Sequence, residues 1–99
     1  MAITISNERH IQAINNLGVI EHKAGKVESA SARFQLANDL VKSQQAYVYE
    51  ASFNLGCIKE AAHDFTNAFS AFQESLTIWP ENTRAQRRLA ALSDQFSLS

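Results

Sequence analysis

With 99 residues, 9 basic and 10 acidic, the chain has room for one small domain and carries a net charge of −1. That balance excludes nucleic acid or an anionic membrane as an obligate partner of the whole chain, because both demand a strong basic field. Cys57 is the only cysteine, so no intrachain disulfide can form and the chain fits a reducing compartment.

In chain order, Met1 to Ile5 read as a loose lead-in. Ser6 is a predicted N-cap with Glu8 in the first turn, where the helix dipole favours an anion. Ile11, Ile14, Leu17 and Gly18 follow at spacings of three and four, which predicts a helix that Gly25 closes. A second helix opens near Val27, carries Ala30, Phe34, Ala37 and Leu40/Val41, and runs to about Ser43 or a turn further. A third covers Ala46 to Ala62 with Tyr49, Phe53, Leu55, Gly56 and Ile58. His63-Asp64 makes the next turn, with Asp64 as N-cap. The fourth helix carries Phe65, Ala68, Phe69, Phe72, Leu76 and Trp79, and Pro80 stops it. Asn82 or Thr83 caps a fifth, in which Ala85, Leu89, Leu92 and Phe96 form one stripe and Arg84, Arg87 and Arg88 the other side. Ser97-Leu98-Ser99 reads as a frayed end.

The chain repeats itself. Leu17-Gly18 is followed by Ala30 and Phe34, and Leu55-Gly56 by Ala68 and Phe72. The offset is 13 residues from leucine to alanine and 4 from alanine to phenylalanine in both copies. A mid-helix glycine costs about 1 kcal/mol relative to alanine, so its recurrence at one phase needs a packing reason. The expectation is that Gly18 faces Ala30 and Gly56 faces Ala68 where two helices cross, with Phe34 and Phe72 filling the space beside them.

These residues resemble the tetratricopeptide repeat. Asn54, Leu55, Gly56, Asp64, Phe65, Ala68, Phe72, Leu76, Ile78 and Pro80 fit the second unit. Asn16, Leu17, Gly18, Gly25, Ala30, Phe34 and Ala37 fit the first, with Lys42 where proline is usual. The early tryptophan is replaced by Ile14 and Ser52. Leu17 and Leu55 lie 38 residues apart, against ~34 in the family, and the excess, about one helical turn, is expected to lengthen the second helix or its connection near Lys42–Tyr47 and to protrude there. The resemblance implies an all-α, right-handed stack of antiparallel hairpins in one domain over 1–99, with repeat one at 11–44, repeat two at 49–82 and a C-terminal capping helix at 83–96. An exposed apolar edge is expected at Ile11 and Ile14, open to a further repeat or to self-association.

Stacks of this type bind proteins or peptide segments on the concave side, lined by the first helix of each hairpin. That side is predicted to include Gln12, Asn15, Val19 and His22, then Glu50, Phe53, Cys57 and Glu60. A carboxylate-clamp chaperone adaptor is disfavoured, because Val19, Phe53 and Cys57 stand where that subfamily needs polar groups. Arg84, Arg87 and Arg88 form the one basic cluster, either a solvated face or a contact for an acidic surface. A narrower resemblance, carried by NNLGVIEHKAGKVESA, YEASFNL and WPENTRAQ, is to tetratricopeptide subunits of the BBSome, a coat-like complex that carries membrane proteins in cilia. It implies a non-catalytic scaffold among other subunits at the cilium or basal body, meeting the membrane only indirectly. A free-standing cytosolic peptide-binding adaptor is the alternative.

No catalytic constellation, cofactor motif or metal site is read from the residues. Glu60-x-x-His63 has the spacing of half a di-metal site, but no second copy exists. Gly25-Lys26 lacks the Ser/Thr and the glycine spacing of a phosphate loop. MAITISNERH has neither the basic nor the apolar region of a signal peptide, and no run approaches the ~18 apolar residues of a membrane span. A soluble cytoplasmic protein is expected.

Overall fold

Three left-handed residues divide the chain where the sequence changes period. Gly25 (φ +82°), Gln45 (φ 54°) and His63 (φ 62°) each follow a helix, and an αL residue is the usual way a helix end turns its last carbonyls to new donors. At the first, Lys26 N–H reaches Glu21 O at 2.9 Å; at the second, Ala46 N–H reaches Val41 O at 2.9 Å; at the third, Asp64 N–H reaches Lys59 O at 2.8 Å. The computed structural model describes the backbone of residues 5–96 and the side chains of residues 8–95. It contains α1 (Ile5–Lys23), α2 (Val27–Gln44), α3 (Tyr49–Ala61), α4 (Phe65–Ile78) and α5 (Thr83–Phe96). The fold is the expected all-α stack: α1 pairs with α2, α3 with α4, and α5 lies on α4. Residues 1–4 of the lead-in and the end at 97–99 fall outside the described residues. No helix among the described residues is long and apolar enough to cross a membrane.

Some boundaries differ from the sequence reading. α1 opens at Ile5, so Ser6 lies inside the helix rather than capping it. α3 begins at Tyr49, after an extended Val48, because Ala46 and Val48 are drawn into the core instead of the helix. Asp64 precedes α4, but its side chain makes no cap bond. Its carboxylate accepts from Asn67 Nδ2 at 2.8 Å. At α5, Asn82 is the cap: its Oδ1 accepts from Ala85 N–H at 3.4 Å.

The extra turn goes into α2, whose 18 residues compare with 14 in α4. It does not stand clear of the stack. Val41, Ala46 and Val48 close over Ile11 together with Ala37 and Ala51, and Ile14 packs against that cluster. Lys42, Ser43, Gln45 and Tyr47 are the exposed residues of this added stretch, Tyr47 at 73%. The same packing overturns the expected edge at Ile11 and Ile14, since Ile11 is fully buried beneath the lengthened α2.

Two further clusters carry the stack. Ala30 and Phe34 of α2 meet Leu55 and Ile58 of α3. Ala68 and Phe72 of α4 meet Phe53 of α3 and Ala85 and Leu92 of α5. Across each crossing the side chain nearest the glycine is the aromatic ring. The nearest atoms to a Cβ at Gly18 would belong to Phe34 and Arg33, and at Gly56 to Phe72 alone. The missing side chains are what let the rings lie flat against the first helix. On the other side of the stack, Glu74 binds Asn38 Nδ2 and Lys42 Nζ, both at 2.8 Å, clasping α4 to α2.

Candidate functional site

The first helices of the two hairpins and α5 share one side of the stack. Asn54 Nδ2 donates to Asn15 Oδ1 at 3.1 Å, tying α3 to α1. From α5, the Arg84 guanidinium sits 4.6 Å from the centre of the Phe53 ring, and Arg88 Nη1 reaches Glu60 Oε2 at 3.5 Å. Between α1 and α3 lies a cleft of about 200 Å³ walled by Val19, His22, Lys23, Phe34, Asn54, Cys57, Ile58 and Ala61. Cys57 continues into a second hollow with Glu60, Ala61 and Arg88. The side is a shallow trough: an apolar floor of Val19, Phe34 and Cys57 with a polar rim of His22, Glu60 and Arg88.

The residues expected on this side fall into two groups. Gln12 and His22 are exposed, and Val19, Glu50, Cys57 and Glu60 are half-buried, so each presents some surface. Asn15 and Phe53 are buried, at 4% and 6% exposure. Asn15 is committed to Asn54, and Phe53 packs 5.6 Å from Phe72 beneath Arg84, where it lines a separate hollow with Tyr49 and Trp79.

Arg84, Arg87 and Arg88 are all exposed. Arg84 and Arg88, four residues apart, share a stripe that leans over α3, Arg84 above the Phe53 ring and Arg88 toward Glu60. The reason is register: α5 buries Ala85 and Leu92 on α4, which swings the preceding arginines toward the trough. The sequence reading offered Arg84 and Arg88 as a basic contact without setting them beside α3, and it missed Asn54 and Lys23 as walls. Leu89 lies 34 residues after Leu55; that spacing marks α5 as another first-type helix and could have found them.

Cys57 titrates above its ordinary range. Burial of the thiol is the largest cause, and Glu60 adds to it, while Arg88 and Arg84 pull the other way. A thiol held neutral is a poor nucleophile and a poor metal ligand. Among the described residues no group of three or more His, Cys, Asp or Glu is placed to hold a metal. The Glu60-x-x-His63 pair is split, Glu60 facing Arg88 and the His63 ring stacking on Phe65 at 5.6 Å.

No family profile matches the chain. Individual relatives do. Tetratricopeptide repeat protein 8 of Mus musculus and that of Homo sapiens are each 31% identical to it over 94 residues, or 95% of the chain. The chain is tetratricopeptide-like. The chloroplastic tetratricopeptide repeat domain-containing protein PYG7 of Arabidopsis thaliana is 37% identical over 87 residues, 88% of this chain. The chain spans 18% and 17% of the two mammalian relatives and 28% of the plant one.

Proposed function

We propose that this chain is a non-catalytic protein–protein interaction scaffold, a subunit or part of a subunit of a ciliary membrane-protein trafficking complex of the BBSome type. The observation that carries the scaffold reading is the continuous trough across α1, α3 and α5, apolar at its floor and charged at its rim. Such a surface suits an extended segment or helix of a partner protein, with Val19 and Cys57 beneath it and Gln12, His22, Glu50, Glu60, Arg84, Arg87 and Arg88 around it. The similarity to mammalian tetratricopeptide repeat protein 8 over 95% of the chain supports the narrower reading, together with the segments that resemble BBSome subunits. On this reading the protein works in the cytoplasm, at the cilium or basal body.

The experiment is reconstitution. The full chain is mixed with purified BBSome subunits, and binding is measured by sedimentation and by crosslinking with mass spectrometry. We expect a complex whose crosslinks fall on α1 and α3, weakened at least tenfold by Glu60→Arg with Arg88 left in place. A chain that binds none of the subunits, yet binds short peptides through the trough, would instead be a free-standing adaptor.

A further inference from the structure

A separate hollow of about 260 Å³ opens where the start of α3 meets the end of α4 and the start of α5, lined by Tyr49, Phe53, Trp79, Asn82, Thr83 and Arg84. The Tyr49 and Trp79 ring centres lie 4.7 Å apart with the planes tilted by 53°, which makes a notch between two aromatic faces. Tyr49 is engaged through its backbone carbonyl, by Ser52 and Ser75. Trp79 is engaged through its backbone N–H and carbonyl, by Ser75 and Asn82. Among the described residues the Tyr49 hydroxyl and the Trp79 indole N–H bond to no other group, and Trp79 is 42% exposed. Two aromatic faces therefore carry two donors that an incoming acceptor can use.

Arg84 supplies the charge. Its guanidinium lies 4.6 Å from the centre of the Phe53 ring. Among the described residues no carboxylate pairs with it, whereas Arg88 has Glu60. Arg84 also stands in the first turn of α5, where the helix dipole favours an anion, and that turn holds no acidic residue. A cationic ligand is opposed here, because Arg84 already covers Phe53. An acidic one is favoured.

The free donors decide what backbone can carry that acid. A partner helix has spent its carbonyls on its own N–H groups. A partner strand needs a sheet edge, and the described residues contain no strand. A polyproline II segment leaves its carbonyls unbonded and docks in aromatic-lined grooves. The lengths agree. Phe53, beneath Arg84, is one helical turn from Tyr49, ~6 Å along α3, and polyproline II advances about that far in two residues. We infer that this hollow docks an extended, proline-containing segment of a partner protein, its proline in the notch of Tyr49 and Trp79 and an aspartate or glutamate two residues away paired with Arg84. The hollow shares only Arg84 with the rim of the trough, so either surface can fail alone.

Trp79 is the only tryptophan in the chain, so its emission reports the notch directly. The full chain is titrated with acetyl-Pro-Pro-Pro-Pro-Ala-Glu-amide, with the same peptide ending in glutamine, and with one in which alanine replaces every proline. The first should shift Trp79 emission saturably, and the other two should bind about tenfold more weakly. By calorimetry, Trp79→Ala should weaken the first peptide about tenfold. Arg84→Gln, at an exposed position, should lower the first peptide to the affinity of its glutamine counterpart, which parent and variant should bind alike. Glu60→Arg, in the trough, should leave binding as it was. Equal binding of the three peptides, or no saturable response, overturns the inference. So does loss of binding in Glu60→Arg, because the peptide would then lie in the trough. A shift in Trp79 emission caused by phosphatidylserine vesicles and by none of the peptides overturns it as well, since the hollow would then be a membrane contact.

Discussion

A Cβ at Gly56 would stand 2.6 Å from Cε1 of Phe72. Two more atoms of the same ring, Cδ1 and Cζ, would lie at 2.8 and 2.9 Å, and Phe72 is fully buried, so the ring has nowhere to retreat. Gly56→Ala should therefore destabilise the chain by about 1–3 kcal/mol, although alanine is the better helix former by about 1 kcal/mol. Gly18→Ala, against a slightly less enclosed Phe34, should cost less. Urea unfolding of both variants checks the order. In a double-mutant cycle, Phe72→Leu should recover part of the Gly56→Ala loss; additive losses would mean the ring and the glycine are not coupled.

A buried polar chain holds the second hairpin to α5. Ser75 Oγ donates to Tyr49 O at 3.2 Å, Asn82 Nδ2 donates to Ser75 Oγ at 3.4 Å, and Asn82 Oδ1 caps α5. Ser75 is fully buried and Asn82 nearly so. Asn82→Ala removes the cap and leaves Ser75 short of a donor. It should cost about 1–2 kcal/mol, while Asn82→Asp keeps the cap acceptor and should cost less. Thr83→Ala, at an exposed position, should fall within about 0.5 kcal/mol of the parent. Thermal melts of the three separate these outcomes.

Gln45 sits at φ 54° and ψ 39°, one residue past α2, and it is exposed. An L side chain is strained in this left-handed region, and glycine is not. Gln45→Gly should raise stability by about 0.5–1 kcal/mol, the strain relief exceeding glycine's entropic cost. The backbone bond from Ala46 N–H to Val41 O is untouched by the change. A lowered midpoint in chemical unfolding would show that the side chain contributes more than its conformation costs.

The periodic core of this fold was legible because its signals are local. Leucine-glycine, alanine and phenylalanine at fixed offsets specify which faces meet, and Gly25 and Pro80 mark two of the boundaries. What could not be read came from contacts distant in sequence. Nothing near Ile11 says that α2 runs long enough to bury it, so the exposed edge was placed there, whereas Leu17 and Ile20 are the large apolar residues that α1 exposes. The helical stripe of α5 showed two faces but not which arginines lean over α3, since that depends on how Ala85 and Leu92 seat on α4. Asn15 and Phe53 belong to the first helices of their hairpins, but periodicity is blind to the depth at which Asn54 and Arg84 cover them.

Cys57 gives a chemical readout of the trough, because it is the only cysteine in the chain. Burial, aided by Glu60, raises its titration point against the opposing pull of Arg88 and Arg84. The folded chain therefore keeps this proton to higher pH than the unfolded chain does. The resulting stability is full below the ordinary thiol range and is lost as pH rises through the folded value. Comparing unfolding free energy against pH for the parent and Cys57→Ala isolates this contribution from tyrosine and lysine titration; superimposable alkaline slopes would refute it. Alkylation by iodoacetamide at mildly alkaline pH should be slower than for an unhindered thiol, since only the thiolate reacts. Arg88→Gln removes an opposing charge and should slow it further, whereas Glu60→Gln should accelerate it. A partner seated in the trough over Val19 and Cys57 should protect the thiol whatever the charge at residue 88, which makes the same reaction a probe of occupancy.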